Sequence, residues 1–388
     1  MAKNVVNENI GNDKENNKEY IAEPTKPFLG KEKELAEKIL SRIKEMNVSM
    51  DIMHVCGTHQ DTLVRFGLDD ILTPVGIRIR QGPGCPVCVT PAREIEEGLA
   101  LARSGKIITT FGDLMKVPGR EGSFAKLKSK GADIRIVYSI SDAVNIAKNV
   151  EREVVFMGIG FETTAPCTAS AILSKPPKNF SVLCCHRTVP PTLKALVEMG
   201  EIKLDGLIEP GHVSTIIGMH AYDFLSEKYR IPQVIAGFEP IDLLMAVYML
   251  AKQHVKKEAK IENEYSRVVK EDGNEYAKEV MSKVFEVRDC EWRGFSTIPN
   301  SGFSISREFE EYDARKRFAS DLECLDGIEF KEPEGCMCAE VLRGVIDSED
   351  CPSFGIDCTP ENPLGPCMVS FEGSCSIEYK YRKKKGSR

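Results

Sequence analysis

Cysteine is the residue type in this chain whose number and spacing most invite chemistry. Fourteen are present, and seven of them fall between Cys324 and Cys375. Within that stretch Cys336, Cys351, Cys358 and Cys375 follow the spacing C-x14-C-x6-C-x16-C. Four thiolates suit either a [4Fe–4S] cluster or a tetrahedral zinc ion. Zinc ribbons usually bring their ligands as two close C-x2-C knuckles. These cysteines are instead spread among proline turns, "CPSFG" and "CTPENPLGPC", as in a cubane wrapped by loop. The spacing favours an iron–sulfur cluster, with zinc or unliganded thiols as the alternatives. Cys338 and Cys367 remain once four ligands are counted. They are either a disulfide beside the cluster or two inert buried thiols.

Four further motifs sit at the ends of strand-like runs. "HVCGTHQD" carries Cys56 and His59, a thiol and an imidazole suited to iron or zinc, or else a buried Cys and a turn His. "QGPGCPVCVTP" holds Cys85 and Cys88 in a rigid Gly-Pro turn that is expected to point both sulfurs outward. That pair is a redox dithiol, half of a metal site, or only a turn. "GIGFETTAP" places Glu162, Thr163 and Thr164 at a helix start, as caps or as an anion or interdomain contact. His212 in "EPGHVS" is a turn His or a functional one. "LCCHRT" (Cys184, Cys185, His186) reads as a strand end in the core, and Cys167, Cys290 and Cys324 as structural. No Walker loop or complete dinucleotide fingerprint is present.

The elements that must position these groups alternate between apolar strands and helical patterns from Lys31 to about Lys252. "VSMDIMHVC", "VGIRIRQ", "KIITTFGD", "ADIRIVYS", "REVVFMGIG", "FSVLCCHRT", "KLDGLIEPG" and "IPQVIAGFEP" are the strands. The alternation predicts an α/β fold with mostly parallel sheets. "VVFMGIGFETTAP" and "QVIAGFEPIDLL" echo each other as strand, Gly-Phe-Glu and helix, which suggests two similar lobes. The expected division is an extension at 1–28, α/β domains at 29–120 and 121–252, and a helical linker with an iron–sulfur domain at 253–388. From Arg288 onward the chain reads as irregular. The 388 residues carry a net charge of -7, which invites no nucleic acid, and lack both a membrane-span run and a signal-peptide core. A cytoplasmic location is expected, where clustered cysteines point to metal or redox work.

Taken together, "CGTH", "FGLDDIL", "GPGCPVCVTP", "GFETTAP", "PGHVSTIIG", "YSRVV", "EWRGFSTIPNSGF" and "CTPENPLGPCMVSFEGSC" resemble the HypD family of hydrogenase maturation proteins. The likeness runs from about Met50 to Tyr381. It implies two α/β domains of similar topology and an iron–sulfur domain. It also implies a HypC-type chaperone as partner, a HypE-type cyanide carrier, and assembly of the Fe(CN)2CO group that reaches the [NiFe]-hydrogenase large subunit. On this resemblance Cys56 holds the iron, shared with a partner cysteine, with His59 beside it and Cys85 and Cys88 as the nearby thiol pair. Cys336, Cys351, Cys358 and Cys375 hold the [4Fe–4S] cluster. Cys338 and Cys367 form a second thiol pair between cluster and surface, as in ferredoxin–thioredoxin reductases. One departure stands out: many members read Cys-Gly-Gly-His-Thr-His, and this chain has Asp61 where they have the second His. A free-standing iron–sulfur thiol–disulfide oxidoreductase is the alternative function.

Overall fold

The computed structural model describes residue 28 and residues 30–382. Residues 1–27, most of the expected extension, lie outside these; Phe28 is buried in the core. All eight expected strands form: β1 (Met50–His54), β2 (Ile77–Gln81), β3 (Ile107–Thr110), β4 (Ile134–Ile136), β5 (Val154–Gly160), β6 (Phe180–His186), β7 (Gly206–Pro210) and β8 (Gln233–Ala236). Three more follow: β9 (Ile261–Asn263), β10 (Phe285–Glu291) and β11 (Thr297–Ile305).

The strands sort into two parallel sheets and one hairpin. The first sheet has the order β2-β1-β7-β8-β9 and the second β4-β3-β5-β6. Runs such as Val154–Gly160 and Phe180–His186 are buried at every position. Helices cover both faces of a parallel sheet, so such strands are apolar throughout rather than alternating. The sheets nest along the chain. A cut at residue 120 would separate β3 from β4 and β5, its hydrogen-bonded neighbours. The first sheet instead gathers 50–81 with 206–263 around a second sheet drawn from 107–186.

Three apolar clusters hold these layers together. Helix Lys31–Met46 buries Ala36, Ile39 and Ile43 at helical spacing, and ends at Asn47 in the left-handed conformation. With helix Pro240–Lys256 it covers one face of the first sheet. Each fully buried Ile or Leu there contributes about 2 kcal/mol of transfer free energy. A second cluster packs helices Ile140–Lys148, Ala165–Leu173 and Glu275–Val284 on the second sheet and on the β10–β11 hairpin. The largest cluster joins the inner faces of both sheets to Trp292, Cys338, Cys367 and Cys375.

Two stretches differ from expectation. Residues 285–305, expected to be helical up to Val287 and irregular from Arg288, form an antiparallel hairpin with a register shift between Arg288 and Cys290. Residues 261–263, expected within a helical linker, add an edge strand to the first sheet. Among the described residues no helix is long and apolar enough to cross a membrane.

Candidate functional site

Parallel sheets place ligands outside the carboxyl ends of their strands. Here those ends bring the sequence motifs together. Cys56 follows β1, Cys85 follows β2, Glu162 follows β5, His212 follows β7 and Phe238 follows β8. The segment after Gln81 is also where the chain leaves the first sheet for the second, so the Gly-Pro-Cys turn lies at the seam between them.

Cys56 caps helix Gly57–Arg65 with an extended backbone and is buried. Burial and the neighbouring Glu372 push its thiol up to about 12. His59 lies on the first turn of that helix. Its Nε2 donates to the carbonyls of Gly237 at 2.9 Å and Ala236 at 3.3 Å. A carbonyl only accepts, so the proton is on Nε2 and Nδ1 is a bare lone pair. That buried Nδ1 has no hydrogen-bond partner among the described residues. Desolvation brings the imidazole down to about 3, so it stays neutral. Phe238 has its ring centroid 5.2 Å from that of His59 and stacks on His212 at 3.8 Å. The two histidines singled out in the sequence therefore flank one aromatic ring.

The GPGC turn packs directly on Cys56. A Cβ on Gly84 would lie 2.3 Å from Cys56 N and 2.4 Å from the Val55 carbonyl carbon, so only glycine permits the approach. Gly82 N donates to His54 O at 2.8 Å. Cys85 and Cys88 are joined as a disulfide with Cα atoms 5.2 Å apart, within the usual span. Both sulfurs were expected to point outward, but both residues are fully buried. The covering comes from chain far away in sequence. Arg293, in "EWRG", donates through Nε and Nη2 to Thr90 O, at 3.2 and 3.0 Å, and through its backbone N to Val89 O. Trp292 is fully buried and stacks on Phe161 at 5.7 Å.

Cys88 also reaches the C-terminal cysteines: its Sγ is 3.9 Å from Pro366 O, the residue bonded to Cys367. Cys338 and Cys367 are free and buried, rather than close to the surface. Cys336 and Cys338 both press on Gly365, where a Cβ would lie 2.6 Å from each sulfur. Cys336, Cys338, Cys351, Cys358 and Cys375 line one small cavity with Met337, Phe354 and Met368. Among the described residues no three His, Cys, Asp or Glu side chains converge as ligands of a single ion. A cubane holds its four thiolates farther apart than one ion does. The five cysteines around this apolar cavity include the four thiolate donors that a cluster takes.

The carboxylates divide differently from expectation. Glu162 accepts from Val189 N at 2.9 Å, its other oxygen has no partner among the described residues, and burial raises it to about 7. Thr164 caps helix Ala165–Leu173 by position, with its hydroxyl donating to Phe161 O at 3.2 Å. Thr163 is half-buried. Cys184, Cys185 and His186 end a buried strand, as expected. Three residues were missed. Glu209 on β7 is fully buried with neither oxygen partnered among the described residues, and desolvation raises it to about 8. Its signal was a lone charge inside the apolar run "GLIEPG". Glu372 in "SFEGSC" backs Gly57, where a Cβ would meet its own Cβ at 2.3 Å. Phe238, in the second Gly-Phe-Glu echo, is the third.

Comparison with known proteins bears on what this arrangement serves. The family described as "Hydrogenase formation hypA family", HypD, matches residues 31–382. A protein of Methanocaldococcus jannaschii is 47% identical over 356 residues, 90% of this chain and 98% of its own. The hydrogenase maturation factor HypD2 of Bradyrhizobium diazoefficiens is 46% identical over 342 residues, 85% of this chain and 88% of its own. The hydrogenase maturation factor HypD of Escherichia coli is 42% identical over 340 residues, 86% of this chain and 89% of its own.

Proposed function

The chain belongs to the HypD family of hydrogenase maturation factors, and from that premise we propose that it is the scaffold on which the Fe(CN)2CO group of [NiFe]-hydrogenase is assembled. The iron is cargo. Cys56 holds it as a thiolate together with a cysteine of a HypC-type chaperone, and a HypE-type carrier brings the cyanide. The group then passes toward the hydrogenase large subunit. A buried thiol raised to about 12 is a poor nucleophile, but a cation beside it offsets the desolvation and favours the thiolate. The bare Nδ1 of His59 offers a neutral lone pair one turn away, as a metal ligand or a hydrogen-bond acceptor.

The observation that carries this reading is the contact of Gly84 with the Cys56 backbone, which ties the Cys85–Cys88 disulfide to the proposed iron site. Cys336, Cys351, Cys358 and Cys375 are the residues that would hold a [4Fe–4S] cluster, which supplies single electrons when bound. Cys338 and Cys367 act as a dithiol. A thiolate of that pair attacks one sulfur of Cys85–Cys88, and the other thiol resolves the mixed disulfide. Cys338–Cys367 is then oxidised and Cys85 and Cys88 are left as thiols, two electrons and two protons having moved together. The approach of Cys88 to Pro366, the neighbour of Cys367, supports this route. A free-standing oxidoreductase acting on other proteins would need an accessible pair, and the burial of Cys85 and Cys88 weighs against it.

The test is Cys56→Ala in the chain purified with its HypC-type partner. Visible absorption from the cluster should persist while iron beyond the cluster is lost. Retention of that extra iron would rule out Cys56 as its holder.

A further inference from the structure

Three buried side chains beside Cys56 take no part in the chemistry above. The backbone N–H of Cys56 donates to His54 Nδ1 at 3.5 Å. His54 Nε2 donates to Gln60 Oε1 at 2.7 Å, and Gln60 Nε2 donates to Glu378 Oε1 at 2.9 Å. Glu378 Oε2 lies 2.9 Å from Arg382 Nε, and the Arg382 guanidinium also pairs with Asp69. Every direction in this chain is forced. A backbone N–H only donates, so Nδ1 must be the bare nitrogen and Nε2 the protonated one. The amide oxygen then accepts, the amide nitrogen donates, and the carboxylate accepts. His54, Gln60 and Glu378 are 1%, 4% and 8% exposed, so water does not compete for these bonds.

The chain of bonds joins two elements far apart in sequence. Gln60 lies on helix Gly57–Arg65, which Cys56 caps. Glu378 lies on helix Ser374–Arg382, which carries Cys375, and 318 residues separate Gln60 from Glu378. The same helix carries Arg382 at its end, so the relay and its ion pairs run along one face of it. We propose that His54, Gln60 and Glu378 form a hydrogen-bonded relay through which the C-terminal helix fixes the turn carrying Cys56. Gln60 and Glu378 are thus positioning residues for that thiol. The inference goes beyond the assembly reading, since it requires neither iron nor partner.

The test follows alkylation of Cys56 by iodoacetamide in the full chain, read by peptide mass spectrometry, with the buried strand residue Cys184 as an internal monitor of global opening. Gln60→Leu and Glu378→Leu should each speed Cys56 alkylation about tenfold, and the double variant should be no faster than either, because all three break one pathway. Glu378→Gln keeps an acceptor oxygen and should restore the wild-type rate. An unchanged rate in Glu378→Leu, a multiplicative double variant, a Glu378→Gln variant as fast as Glu378→Leu, or a parallel rise at Cys184 would each overturn the relay. Failure of this test leaves iron binding at Cys56 to be decided by metal content, so the two ideas fall separately.

Discussion

Glu209 gives the most quantitative prediction. Its carboxyl is fully buried on β7 with no hydrogen-bond partner for either oxygen among the described residues, and desolvation alone raises it from 4.5 to about 8. In the unfolded chain it ionises near its ordinary value. The folded state therefore binds the proton more tightly, and folding stability falls as pH rises from the unfolded value toward the folded one. Below pH 4.5 the penalty is absent, and it levels off above about pH 8. With 1.36 kcal/mol per unit, the cost is about 1 kcal/mol near pH 5 and about 4 kcal/mol near pH 8. Glu209→Gln keeps the shape and removes the ionisation. Urea unfolding at the two pH values should show the variant gaining about 3 kcal/mol relative to wild type between them. Contributions from Glu162 and Glu372 are common to both proteins and cancel. A wild-type and variant difference that does not change with pH would refute the reasoning, since it would mean that Glu209 ionises as readily in the fold as in water.

Other outcomes follow from single contacts. Gly84→Ala would drive a methyl into the Cys56 backbone, which cannot swing aside; about 3 kcal/mol of stability should be lost in chemical denaturation. Arg293→Ala leaves Thr90 O and the Glu332 carboxylate without their buried partner. It should cost about 3 kcal/mol and speed reduction of Cys85–Cys88 by a small thiol, followed by mass spectrometry; an unchanged reduction rate would show that Arg293 does not shield the turn. Cys375→Ser should abolish the visible absorption expected of the cluster, whereas Cys324→Ser, at an exposed free thiol, should retain it.

The strands of both sheets were legible because parallel strands covered on both faces are continuous apolar runs. The pairing of those strands was not. Sequence order cannot tell that Gly206–Pro210 lies beside Met50–His54, because the whole second sheet is inserted in the chain between them. The edge strand at 261–263 is half-buried and polar, so it lacks a strand signature. The 285–305 hairpin buries an uneven set of positions around its bulge, which hides the period of two. Residue type alone singled out Cys56, His59 and the C-terminal cysteines, and the fold sets His59 one turn from Cys56 and gathers Cys336, Cys351, Cys358 and Cys375 around one cavity. The Gly-Pro turn set the backbone around Cys85 and Cys88, but their exposure depended on Trp292 and Arg293, some two hundred residues later. Glu209 was hidden because one charge at a strand end reads as solvent-facing until the neighbouring sheet covers it.

The central claim is that iron bearing diatomic ligands is held at Cys56. Infrared spectroscopy of the chain purified with its HypC-type partner, in the region of CN and CO stretching, tests it most directly. The account predicts bands of iron-bound CN and CO in the wild-type complex and none in the Cys56→Ala complex. Bands of undiminished intensity in Cys56→Ala would contradict it.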